Sequence, residues 1–339
     1  MFRRYERPAP VPPLADCFGL RDRARALKDL SAVVAGIRAG DRFHFGLSTA
    51  GLFRPDLSIP SYAGLIPKDG VCPIFNLFDR VGGGLGYRNA VTRRTARDHR
   101  GGRATYDEHD GTDLVCPPGT PLACAAPGVV VAIRTNLLRG GLTACVDHGA
   151  GVVTQYTHLS AMVAAVGQPL ERGETVALSG MSGLDMVSGF PWVPPHVHFM
   201  VWIHGRPVDP FLAAGEPRRA GAWLHGNQPE TSRGALSGDA RPPSIDEIEI
   251  DRPAMDRVLS MCRSPAIRDE IERAPTDASR IAILEDSLHH DRPAWPNEAQ
   301  GIPLRPPADP DAVRLTLPLP ADAYRTARPV DAPWTRPPA

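Results

Sequence analysis

The rhythm of apolar positions divides the chain into blocks. Leu27, Leu30, Val33, Val34 and Ile37 recur at helical spacing, which predicts an amphipathic helix over 21–37 that ends near Gly40. Residues 1–40 therefore read as an N-terminal arm and helix. From Asp41 onward, short apolar runs such as 43–47 and 74–78 alternate with glycine and proline, so 41–104 reads as a β-rich segment packing on the central block of the chain. That central block, 105–214, is the clearest. Its 120–134 run reads as two strands broken at Pro127 and Gly128, and 142–159 reads as a hairpin turning at 148–151. Many short strands punctuated by glycine predict an antiparallel sheet folded on itself. Residues 215–243 are polar, with Gly, Pro and Ser, and read as a linker. Helical periodicity returns over 244–290 (Met255, Val258, Leu259, Met261; Ile267, Ile271; Ile281, Ile283, Leu284), predicting a small helical appendage whose last helix is capped by Thr276 or Asp277. Residues 291–339 are proline-rich without a sustained period, and are expected to be disordered or extended along the folded body.

Composition narrows the partners. A chain of 339 residues, 42% hydrophobic, supports one core of about 100–200 residues plus additions. The formal net charge is +0, so no nucleic-acid partner is expected. No apolar run reaches the roughly 18–20 residues of a membrane span, and none is expected. The basic start, Met1 to Pro8, has no apolar stretch behind it, so no signal peptide is visible. The six cysteines lack metal-knuckle spacing. Cys116 and Cys124 could face each other across a turn, but buried free thiols are the expected state.

The candidate chemistry lies between His109 and His198. His109 and Asp113 are four apart around Gly111, and on a strand or loop both can converge on one metal. His196 and His198 are two apart, and on a strand such residues share a face. Catalytic zinc sites typically take three N/O ligands and keep a fourth position open, with a second polar group beside it for proton transfer. Four other histidines read as structural: His148 and His204 in turns, and His289 and His290 at a helix end, where imidazolium suits the dipole. Asp209 reads as a turn residue.

Four motifs stand in order: His109-Asp-Gly-Thr-Asp113, Tyr156-Thr-His158-Leu159, Gly180-Met-Ser-Gly183 and His196-Val-His198-Phe199. Together they resemble the LytM/lysostaphin-type zinc endopeptidases, which cut the peptide part of bacterial peptidoglycan. The resemblance spans roughly residues 100–215. It implies a mainly β fold, a curved antiparallel sheet or sandwich with an open groove. It implies one Zn2+ held by His109, Asp113 and His198, with His158 and His196 as the catalytic pair and Tyr156 as a further support for the transition state. The implied reaction is hydrolysis of peptide cross-links by a metal-activated water, with peptidoglycan peptide stems as substrate. Two departures stand out. Residues 184–195 intervene between the third and fourth motifs, forming a loop at the groove rim from which Phe190 and Trp192 could contact substrate. Met200 stands where the family often has Glu. Two other classes stay open: a non-catalytic wall-binding or amidase-activating module of the same fold, and a zinc peptidase with a protein substrate. A substrate outside the cytoplasm, with no visible export signal, implies action in the periplasm or cell wall by a non-Sec route or from an upstream start. It also makes a delivery or inhibitor protein a candidate partner.

Overall fold

β-branched residues that pack well on a pleated surface fill the centre of the chain, and there they form long paired strands. The computed structural model describes residues 1–7, 10–21, 23–24, 26–27, 30–31, 47–81, 96–137, 140–218, 221–223, 227–307 and 309–330. The helix expected over 21–37 lies for the most part outside the described residues. In chain order the first elements are β1 (Phe2–Arg4), α1 (Leu14–Cys17), α2 (Pro55–Tyr62), β2 (Leu65–Pro67), β3 (Val71–Ile74) and β4 (Thr112–Val115). Next come β5 (Pro121–Ala123), β6 (Gly128–Asn136), β7 (Gly141–Asp147), β8 (Val152–Met162), β9 (Pro169–Leu170), β10 (Thr175–Ser179), α3 (Leu184–Gly189), β11 (His196–Ile203) and β12 (Arg206–Val208). The chain closes with α4 (Arg252–Ser260), α5 (Pro265–Glu272), α6 (Asp277–His290) and β13 (Thr326–Pro329). Among the described residues no helix is long and apolar enough to cross a membrane.

One mainly antiparallel sheet carries the fold, in the order β13-β3-β4-β11-β8-β7-β6-β9, with β10 joining β8 to β5 and β12 flanking β11. The exception to antiparallel pairing is β13, which runs parallel to β3. Side chains alternate between two faces. Val197, Phe199 and Val201 of β11 meet Tyr156 of β8 and Val130 and Val146 of the neighbouring strands in the main core. Met200 and Trp202 point the other way and, with Val129, Val131 and Val153, form a second core under α4, α5 and α6. By the same period of two, His196 and His198 lie on the helix-bearing face. The appendage therefore stands beside the candidate site.

The strand β8 changes partner at the site. Thr157 pairs with His198 of β11, whereas Leu159 pairs with Ser179 of β10. Against β7, Tyr156 faces Ala144 and Leu159 faces Leu142, so Thr157 and His158 together oppose one residue. This is a β-bulge, the usual device for re-aiming a side chain. His158 adopts φ 64, a left-handed conformation uncommon outside glycine.

The described part of 41–104, expected as a β-rich segment of strands and loops, holds the strands β2 and β3 and also a helix. Pro55, at the first position where its missing N–H costs nothing, starts the helix α2. The helices within 244–290 form as the periodicity predicts, with caps at Asp251, Ser264 and Thr276. The C-terminal residues are an integral part of the core. Leu315, Leu317, Leu319 and Tyr324 are buried in the main core, and β13 closes a sheet edge. The segment read as a linker also packs: Trp223 is buried, and the buried guanidinium of Arg172 donates to both carboxylate oxygens of Asp239 at 2.7 and 2.5 Å. All six cysteines are free and buried. Leu319→Ala is expected to cost about 2–5 kcal/mol of stability, as for other buried leucines. An unchanged denaturation midpoint would contradict a core role for this segment.

Candidate metal centre

Two strands and one loop build the cluster. Asp113 of β4 lies directly across from His198 of β11, and cross-strand partners place their side chains on one face. His109 approaches from the loop before β4. His109 Nε2 lies 3.1 Å from Asp113 Oδ1 and 3.1 Å from His198 Nδ1, and these last two atoms are 2.9 Å apart. For comparison, a tetrahedral zinc with bonds of about 2.0–2.2 Å spaces its ligand atoms by about 3.3–3.6 Å. All three residues are buried.

Outer contacts aim these atoms. A backbone carbonyl can only accept, so His109 Nδ1, 2.7 Å from the Leu77 carbonyl, carries a proton and leaves the Nε2 lone pair for a cation. The Asn76 amide donates to Asp113 Oδ2 at 2.7 Å, which leaves Oδ1 facing the cluster. Asp110 Oδ1 stands 3.2 Å from His198 Nε2, a carboxylate–histidine contact that directs Nδ1 inward. Burial alone would raise the Asp113 carboxyl, but the imidazoles of His109 and His196 and two hydrogen bonds hold it well below the usual range. Burial also opposes charge on His198, yet Asp110 and Asp113 outweigh it and carry its pKa up to about 10. The same negative field favours a divalent cation.

Two further imidazoles border the cluster. His196 Nδ1 donates to the Pro194 carbonyl at 2.7 Å, and its Nε2 stands 3.4 Å from Asp113 Oδ1. Burial pushes the pKa of His196 down to about 4, so the ring is neutral near pH 7. His158 Nδ1 donates to the Ser182 carbonyl at 2.8 Å, within the third motif. The His158 and His196 rings are 4.9 Å apart, and Asp185 Oδ2 lies 3.5 Å from His158 Nε2. A cavity of about 40 Å³ opens beside them, lined by Tyr106, Arg134, His158, His198 and, from α6, Asp286 and His290. That is room for one or two waters.

The structure thus brings together five of the eight residues singled out from sequence. Tyr156 is a correction. Its ring is fully buried in the main core against Phe199, and its hydroxyl accepts from the Ala125 N–H at 3.0 Å and donates to the Ala123 carbonyl at 3.2 Å. The bulge explains the error, because regular alternation would have put residues 156 and 158 on one face. Phe190 and Trp192 do not line the cavity. Phe190 packs edge-on against Phe18 and Tyr62, and Trp192 is 46% exposed. From that inserted segment it is Asp185 that reaches the site. Sequence reasoning missed Asn76, Tyr106, Asp110 and the α6 histidines. Of these, only Asp110 carried a signal, lying inside the first motif. His148 is structural as expected, bonded to the Pro127 carbonyl and the Thr154 hydroxyl.

The model of peptidase family M23 matches residues 107–210. That segment is an M23 peptidase domain. It contains all five clustered residues. The peptidoglycan DD-endopeptidase ShyA of Vibrio cholerae is 37% identical over 105 residues, which are 31% of this chain and 23% of that protein. The DD-carboxypeptidase/endopeptidase Mpg of Neisseria meningitidis is 33% identical over 110 residues, 32% of this chain and 24% of its own length. The chain therefore spans about a quarter of the length of these curated relatives. A crystal structure of a zinc containing peptidase from Vibrio cholerae covers 41% of this chain and 39% of its own, at 25% identity and a TM-score of 0.28.

Gly111 holds a close approach within the M23 domain. A Cβ there would stand 2.7 Å from the His198 ring. Gly111→Ala should displace that ring and weaken metal affinity by about 10–100-fold, the range for disturbed outer contacts of a ligand. Competition with a chromogenic chelator measures this, and an unchanged affinity would show that the loop yields instead.

Proposed function

We propose that the M23 domain of this chain is a zinc-dependent endopeptidase that hydrolyses peptide cross-links of bacterial peptidoglycan. The observation that carries the reading is the convergence of His109 Nε2, Asp113 Oδ1 and His198 Nδ1 within 3.1 Å of one another, beside His196, whose Nε2 stands 3.4 Å from Asp113 Oδ1, and His158, whose ring is 4.9 Å from that of His196. Two imidazoles and a carboxylate are a donor set that suits zinc. Bound there, zinc would supply Lewis acidity, polarising the scissile carbonyl and easing deprotonation of water.

The protein side chains do the rest. His196, neutral and with Nε2 open towards the cluster, accepts the proton of the attacking water. His158, its Nδ1 fixed on Ser182, holds Nε2 where charge develops on the carbonyl oxygen and steadies it. Asn76 and the Leu77 carbonyl keep the ligands in place, which preserves reactive geometry from one turnover to the next. The names of the ShyA and Mpg relatives support a wall peptide as substrate. That substrate would place the work of this chain in the periplasm or cell wall.

The test is digestion of purified sacculi by the full chain, with mass spectrometry of the released muropeptides and casein as control. Cross-linked dimers should fall and monomers rise. Cleavage of casein alone would make it a peptidase of protein substrates. Binding to sacculi without new peptide ends would make it a wall-binding module.

A further inference from the structure

One cluster beside the site shares only Asp110 with it, and its two histidines have no part in this chemistry. The side chain of Asp110 meets the C-terminal end of α6. Its Oδ2 lies 3.1 Å from His289 Nε2 and 2.8 Å from His290 Nε2. One ligand atom from each of the three residues lies within 4.8 Å of the others. We propose that Asp110, His289 and His290 bind a second divalent cation of zinc-like preference, in addition to the ion assigned to His109, Asp113 and His198.

The donor set selects the ion class. Two imidazoles and one carboxylate suit zinc and its first-row neighbours, whereas calcium and magnesium prefer all-oxygen shells. The orientation is already set. His290 Nδ1 lies 3.0 Å from Asp286 Oδ1 and 3.1 Å from the Asp286 carbonyl, so it donates there and presents Nε2 to Asp110. That is the carboxylate–histidine support found behind metal ligands. His290 Nε2 then faces Asp110 Oδ2 at 2.8 Å, and His289 Nε2 faces the same oxygen at 3.1 Å, with the two rings 4.6 Å apart. Both imidazoles therefore converge on one carboxylate oxygen, the arrangement that a shared cation would use.

The site is also held and reachable. Both rings pack edge-on to Trp202 of β11, at 5.6 and 6.0 Å. Arg305, itself buried, donates to Glu285 of α6 at 2.7 and 2.9 Å and to Asp147 of β7 at 2.6 Å, fixing α6 on the sheet. The side chains of His289, His290 and Asp110 keep 24, 12 and 15% of their surface, enough for an ion to enter. An ion there would tie α6 to the loop that carries His109.

The full chain is stripped with a chelator, equilibrated with zinc ions alone, and its metal content measured by mass spectrometry. Two ions per wild-type chain are expected, and one in His289→Gln/His290→Gln. Should the double variant disturb α6, His289→Gln alone must still weaken the second binding step by tenfold or more. A wild type that saturates at one ion, with the same ion kept by the double variant, overturns the second site and leaves the catalytic one standing. One ion that disappears in the double variant but persists in His109→Ala would support this site and remove the catalytic assignment. A chain that binds none overturns both.

Discussion

Replacing His198 by alanine should abolish metal binding at the catalytic cluster and reduce hydrolysis of cross-linked muropeptides by at least about a thousandfold. The size reflects the several kcal/mol that a catalytic metal contributes to charge stabilisation, at about 1.4 kcal/mol per factor of ten. The substitution removes one of the three proposed ligand atoms and also leaves Asp110 Oδ1 without its imidazole. Asp113 would then face His109 and His196 alone across the gap. Metal content and turnover are read on the same sample. A variant with full catalytic-site occupancy, or with near-normal turnover, would exclude His198 as a ligand.

His158→Ala should behave differently. It removes no ligand, so the metal stays, while turnover should fall by about a hundred- to ten-thousandfold, the range for loss of a positioned acid–base group. The left-handed backbone at residue 158 persists in the variant only if the bulge is imposed by its neighbours. That is the expected outcome, because the His158 N–H bond to the Gly140 carbonyl at 2.9 Å does not depend on the side chain. Separation of occupancy from turnover distinguishes the two histidines. Loss of metal in His158→Ala, or unchanged turnover, would remove it from the assigned role.

Much of the site is legible in the amino-acid sequence, and the reasons are local. His196 and His198 are two apart on a strand, so alternation alone puts them on one face, and cross-strand pairing then brings Asp113 opposite. The same rule misplaces Tyr156, since a bulge is an interruption of the period that side-chain pattern does not announce. Asn76 is invisible because a lone amide in an apolar run has no motif, yet it fixes the free oxygen of Asp113. The C-terminal strand-like alternation at Leu315, Leu317 and Leu319 is there in the sequence, but Pro318 and Pro320 disguise it as a loose tail. His289 and His290 read as a helix end suited to the dipole. Their meeting with Asp110, 179 and 180 residues away, is a tertiary fact.

The central claim is one cation shared by two imidazoles and a carboxylate. Anomalous diffraction at the zinc edge, from crystals of the zinc-loaded chain, locates that cation without reference to activity. The account predicts a peak about 2.0–2.2 Å from His109 Nε2, Asp113 Oδ1 and His198 Nδ1. A loaded crystal with no peak among these three atoms would contradict it.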